Sequence, residues 1–76
     1  MTDADIAATL RAFALQRGAD KTFCPSEVAR ALAGDWRPLM PRIREIAAAM
    51  PDLKATQKGQ TVDPVTATGP IRLSLA

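Results

Sequence analysis

Cys24-Pro25-Ser26-Glu27-Val28-Ala29-Arg30-Ala31-Leu32-Ala33-Gly34-Asp35-Trp36-Arg37-Pro38-Leu39-Met40-Pro41-Arg42-Ile43 is the stretch that decides the fold. Pro25 suits the first position of a helix, because its missing N–H would be unpaired there in any case, and it pushes Cys24 into the extended conformation of an N-cap. Glu27 then stands at the third helical position, where its carboxylate reaches back to the cap N–H and complements the positive helix end. Val28, Ala29 and Leu32 make the buried face, and Gly34 closes a helix, 25–33, of about nine residues. After the turn Ala33-Gly34-Asp35, Asp35 is placed to cap a second helix, predicted over Trp36–Met50. Pro38 and Pro41 lie in or near its first turn, where proline is tolerated, and a 3₁₀-like opening through Trp36–Pro38 accommodates both. Leu39, Met40, Ile43, Ile46, Ala47 and Met50 fill one arc. Arg37, Arg44 and Ala48 face the other way, with Arg42 and Glu45 on the flank. Helix, short turn, longer amphipathic helix is the helix-turn-helix pattern.

Upstream, Ile6, Leu10 and Phe13 recur at helical spacing from Asp3 to Arg17, with Ala7 and Ala14 beside them. Thr2 or Asp3 caps the start, Asp3 and Asp5 suit the positive end, and Arg17-Gly18 is a normal finish. Ala8, Ala12 and Leu15 form a second stripe on the far side. They are either covered by the domain itself or form a self-association face, the candidate interface of a homodimer. Asp20-Lys21-Thr22-Phe23 is a connector able to pair as one or two strand residues.

Downstream of residue 52 the period changes from helical to alternating. Leu53–Gln57 alternates, Lys58-Gly59 is a turn signal, and Gln60-Thr61-Val62 returns. A loop from Asp63-Pro64 to Gly69-Pro70 leads into Ile71-Arg72-Leu73-Ser74-Leu75, which predicts a strand with Ile71, Leu73 and Leu75 buried on one face. The whole reads as one α+β domain, 1–76: a winged helix-turn-helix, three helices followed by a small antiparallel β wing.

Composition narrows the chemistry. The chain has 76 residues with no histidine, one cysteine, one tryptophan and no tyrosine. Imidazole catalysis, His-ligated zinc, an internal disulfide and a multi-aromatic base-stacking platform are all excluded for this chain alone. The expectation is a non-enzymatic domain with no cofactor and no metal. No apolar run is long enough for a membrane span, and Met1-Thr2-Asp3-Ala4-Asp5 is too acidic to open a signal peptide, so a cytoplasmic location is expected. Charge is skewed along the chain. Residues 1–36 carry Arg11, Arg17, Lys21 and Arg30 against five acids, net −1, and residues 37–76 carry six cations against three acids, net +3. The excess falls on the recognition helix and wing, where phosphate contact requires it. Duplex DNA is therefore the expected partner, with Arg37, Arg42 and Arg44 contacting it from the helix and Lys54 and Lys58 from the wing. The alternative is a protein-interaction adaptor on the same fold, using the Ala8/Ala12/Leu15 stripe or Trp36. Beside Leu39 and Met40, Trp36 also reads as a lid on the core. Cys24 reads as a capping residue, with a helix-activated thiol as the rival reading.

Lys21-Thr22-Phe23-Cys24-Pro25-Ser26-Glu27-Val28-Ala29-Arg30, Trp36-Arg37 and Leu39-Met40-Pro41 resemble the bacterial family known as domain of unknown function 3253. So do Thr56-Gln57-Lys58-Gly59, Val62-Asp63-Pro64 and Gly69-Pro70-Ile71-Arg72. The resemblance spans essentially the whole chain and implies a stand-alone winged-helix-like domain, with no assigned activity. Phe23 stands where a smaller aliphatic residue is expected.

Overall fold

Thr2 starts the first helix by a reciprocal capping box. Its hydroxyl accepts the Asp5 N–H at 3.1 Å, and the Asp5 carboxylate accepts the Thr2 N–H at 3.0 Å. In the computed structural model, which describes residues 2–76, helix α1 runs Asp3–Arg17 and buries Ile6, Leu10 and Ala14. It ends on Gly18 at φ 82°, ψ 170°. That conformation lies outside the left-handed helical cap expected there, and it is one that essentially only glycine adopts.

Helix α2, Pro25–Leu32, begins as its sequence dictates: the Glu27 carboxylate accepts the Cys24 N–H at 2.8 Å. The same carboxylate accepts the Arg17 guanidinium at 2.7 Å, tying the end of α1 to the start of α2. The helix stops one residue earlier than expected, because Ala33 is extended at φ −153°. Gly34 therefore plays no left-handed capping role.

The predicted 36–50 helix is divided. A 3₁₀ turn, Arg37–Leu39, leads into helix α3, Met40–Ala48. Pro41 has no N–H for the Arg37 carbonyl. The Met40 N–H takes it instead, at the tighter spacing. The cap position falls on Trp36, without a side-chain capping bond, and not on Asp35. At the other end Pro51 disfavours the α conformation at Met50, so α3 is shorter than its apolar arc.

Strands β1, Leu53–Gln57, and β2, Gln60–Val62, form a hairpin around Lys58 at φ 52° and Gly59 at φ 80°. Two positive φ values match the type I′ turn that suits strand twist. Strand β3, Arg72–Leu75, pairs antiparallel with the other edge of β1, Leu73 opposite Ala55, giving the order β2-β1-β3. Phe23 bridges to the free edge of β3 at Leu73, so the connector contributes one strand residue. Ile71 and Leu73 are buried as the alternation predicts. Leu75 is only half-buried, at the end of the sheet opposite Leu53, while Ser74, a small side chain opposite Lys54, is covered.

The sheet packs through β1 on α3 and through β3 on α1. Phe23 lies at 0% exposure in the core between them, its ring 5.8 Å from that of Phe13 and tilted by 42°. Burying such a ring contributes about 1.5–3 kcal/mol, and an aromatic pair in this range about 0.5–1.5 kcal/mol more. The expected smaller aliphatic residue at position 23 would lose the aromatic pairing and part of the buried area.

Candidate nucleic-acid interface

The arginines divide by what they hold. Arg11 of α1 pairs with Asp52 at 2.7 Å, Arg17 pairs with Glu27 at 2.7 Å, and Arg42 of α3 pairs with Asp3 at the start of α1. Hydrogen bonding from Arg17, then the Cys24 N–H, holds the Glu27 carboxyl below its ordinary range. Hydrogen bonding from Arg11 does the same for Asp52, and the Thr2 bonds do so for Asp5.

Arg44, expected on the solvent face, is half-buried instead, because the loop between β2 and β3 folds across it. Its guanidinium donates to the carbonyls of Ala67 at 2.9 Å, Gly69 at 2.7 Å and Pro64 at 3.4 Å. The Gln57 side-chain amide donates to Thr68 and Pro70 carbonyls in the same loop, at 2.6 and 3.1 Å. The Val65 N–H closes a small turn onto the Asp63 carboxylate at 2.8 Å. Arg44 is thus a clamp on this loop. Arg72 is similarly engaged, donating to the hydroxyl and carbonyl of Thr22 at 2.9 and 3.1 Å and lying against the Cys24 sulfur.

Of the five cations expected to meet DNA, Arg37, Lys54 and Lys58 are exposed and have no carboxylate partner among the described residues. Arg42 is held by Asp3 and Arg44 by the loop. Lys54 projects from the solvent side of β1, between buried Leu53 and Ala55, and Lys58 sits at the tip of the hairpin. The residue missed is Arg30. Its guanidinium carbon lies 4.8 Å from the centre of the Trp36 ring, and that of Arg37 lies 4.7 Å from the same centre. Trp36 itself is half-buried against the core, as a lid would be. A cation next to the chain's single tryptophan was the available signal at position 37. At position 30 there was none, since the contact depends on how the turn folds α2 back.

Ala8, Ala12 and Leu15 all lie exposed along α1, Leu15 at 65%. Among the described residues, no group of His, Cys, Asp and Glu side chains converges to hold a metal ion, and no helix is long and apolar enough to cross a membrane.

The sequence model of one family, described as a protein of unknown function (DUF3253), matches residues 3–76. The chain belongs to the DUF3253 family. No curated protein matches it. The DUF3253 match takes in every element of this fold, the Arg30–Trp36–Arg37 cluster, the Arg44 clamp and the hairpin tip included.

Proposed function

We propose that this domain is a winged helix-turn-helix that binds nucleic acid, with duplex DNA as its target. The order helix, bridging residue, helix, helix and strands supports the fold half of this reading. So does the position of β3 between β1 and the Phe23 edge, which makes the β1–β3 pair and its long connection the wing.

One observation carries the functional half: the partition of the charges. Ion pairs quench Arg11, Arg17 and Arg42, which link α1 to its neighbours. The cations left without an acid or a hydrogen-bond acceptor among the described residues are Lys21, Arg30, Arg37, Lys54 and Lys58. Of these, Arg30 and Arg37 flank the helix-turn-helix corner, and Lys54 and Lys58 stand on the wing. Contacts from three to five such cations release counterions, so duplex affinity falls with salt at a log–log slope of roughly −3 to −5.

A salt series of duplex-binding anisotropy tests this. Arg37→Ala, Lys54→Ala and Lys58→Ala should each shallow the slope by about 1. Arg42→Ala and Arg44→Ala should change it less, because their donors are engaged within the fold. Absence of binding tighter than ~10⁻⁴ M at modest salt overturns the proposal.

The adaptor reading is favoured by a different observation. Among the described residues, Leu15 and Val65 are the exposed large apolar side chains, and Val65 is held on the clamped loop beside Met40 and Pro41 at a cleft of about 340 Å³. On that reading Val65→Asp abolishes partner binding, and removing the free cations changes nothing.

A further inference from the structure

We infer that Arg30 and Arg37, gathered on the ring of Trp36, form a phosphate clamp that grips the nucleic-acid backbone without reading a base. The source of the phosphate rests on the nucleic-acid reading above; the chemistry of the site does not, since free phosphate offers the same acceptors.

The two guanidinium groups come from different elements, α2 and the 3₁₀ turn, and both lie against the Trp36 ring. Each guanidinium carbon is within 5 Å of one ring centre, at 4.8 and 4.7 Å, which puts the two charges within roughly a Debye length of each other. Like charges that close repel. The negative face of the indole offsets part of that repulsion, and among the described residues no carboxylate forms an ion pair with either arginine. The other arginines all have acceptors: Arg11, Arg17 and Arg42 have acids, Arg44 has loop carbonyls, and Arg72 has Thr22. Arg30 and Arg37 alone hold their forks unoccupied among the described residues. Two exposed guanidinium groups without a protein acceptor, held beside one ring, leave their donors open to an anion that displaces water.

The anion that fits is a phosphate. A carboxylate is planar, carries one charge and matches one guanidinium fork, whereas a phosphate has further oxygens to accept from a second. The platform is fixed in advance, because Trp36 packs against the core, so little ordering is needed on binding. The same packing argues against base stacking. Trp36 is half-buried against the core and two guanidinium groups lie within 5 Å of its ring centre, so a base would compete with them for the ring.

Trp36 is the only tryptophan, so its fluorescence reports on the site directly. The full chain is titrated with inorganic phosphate and, separately, with a short duplex, in wild type, Arg30→Gln/Arg37→Gln and Arg30→Lys/Arg37→Lys. Both arginines are exposed, so these changes leave the core untouched. Phosphate should shift the wild-type emission saturably, while chloride at matched ionic strength does not. The Gln pair should abolish that response and shallow the duplex salt slope by about 2. The Lys pair, which keeps charge but loses the forks, should keep the slope and weaken phosphate about tenfold. A flat phosphate titration, or one unchanged in the Gln pair, overturns the clamp even if the duplex still binds. A wild-type response to phosphate that the Gln pair loses, with no duplex binding, upholds the clamp and removes nucleic acid as its source.

Discussion

Phe23 and Leu73 exchange both backbone hydrogen bonds, the Phe23 N–H donating to the Leu73 carbonyl at 2.8 Å and the Leu73 N–H donating back at 2.7 Å. This one pair ties the connector between α1 and α2 to a strand fifty residues later, and it brings two fully packed side chains together in the core.

Leu73→Ala should therefore cost about 2–5 kcal/mol, since it opens a cavity beneath the central strand pairing. Arg72→Ala, one residue earlier on the solvent side, removes exposed hydrogen bonds to Thr22 and should cost about 1 kcal/mol. Urea denaturation of the two variants checks the difference. Equal losses would mean that the two faces of β3 are wrongly assigned.

Arg44 should behave as a structural residue. Arg44→Ala leaves three loop carbonyls without their common donor, and Arg44→Lys replaces a planar fork with a point charge that cannot span them. Amide hydrogen exchange should accelerate at Val65 and Ala67 in both variants, with exchange at the Lys58-Gly59 hairpin unchanged. The duplex salt slope should stay within a few tenths of wild type. A slope shallower by a full unit in Arg44→Lys would instead place this guanidinium on phosphate.

Acid should destabilise the domain through Glu27, Asp52 and Asp5. Each has a carboxyl held below its ordinary value by a hydrogen-bonding partner in the folded state: Arg17, Arg11 and Thr2. A depressed folded pKa means stability that is fully present above the unfolded value, 4.5 for Glu27, and lost as pH falls through the folded one. Melting temperature should stay level between about pH 5 and 8, because no histidine titrates there, and fall below that range. Glu27→Gln should lower stability at neutral pH and flatten the acid limb. An unchanged acid limb in that variant would leave Glu27 without a role in it.

What the sequence made legible was local. Thr2 or Asp3 before the first apolar repeat, Pro25 with Glu27, and Lys58 with Gly59 each carry their structural instruction within a few residues. The starts of α1 and α2 and the hairpin could therefore be read from spacing, whereas the cap expected at Asp35 falls on Trp36. The sites were less legible because their decisive contacts are tertiary. Arg44 has the helical phase of a solvent-facing residue, and only the return of the 63–70 loop, some twenty residues on, gives it a buried task. Arg30 looks like an ordinary exposed arginine on α2 until the turn sets Trp36 beneath it. Arg42 reads as a free cation until α1 brings Asp3 alongside. Periodicity sets which way a side chain leaves its own element; it does not say what another element will place there.

Lys58 allows charge and stability to be separated at one position. It is the only non-glycine residue with positive φ among those described, and its φ of 52° strains an ordinary L side chain. Asparagine tolerates that conformation better and is the preferred partner of glycine in a type I′ turn, so Lys58→Asn should stabilise the domain by several tenths to about 1 kcal/mol. Lys58→Ala removes the same charge without that conformational gain and should leave stability unchanged or lower. If Lys58 meets phosphate, both variants lose about one unit of duplex salt slope although their stabilities diverge. Thermal melts paired with anisotropy titrations measure the two quantities on the same samples. Duplex affinity that follows stability instead of charge, rising in Lys58→Asn and falling in Lys58→Ala, would remove the hairpin tip from the interface and leave Lys54 as the wing's contact.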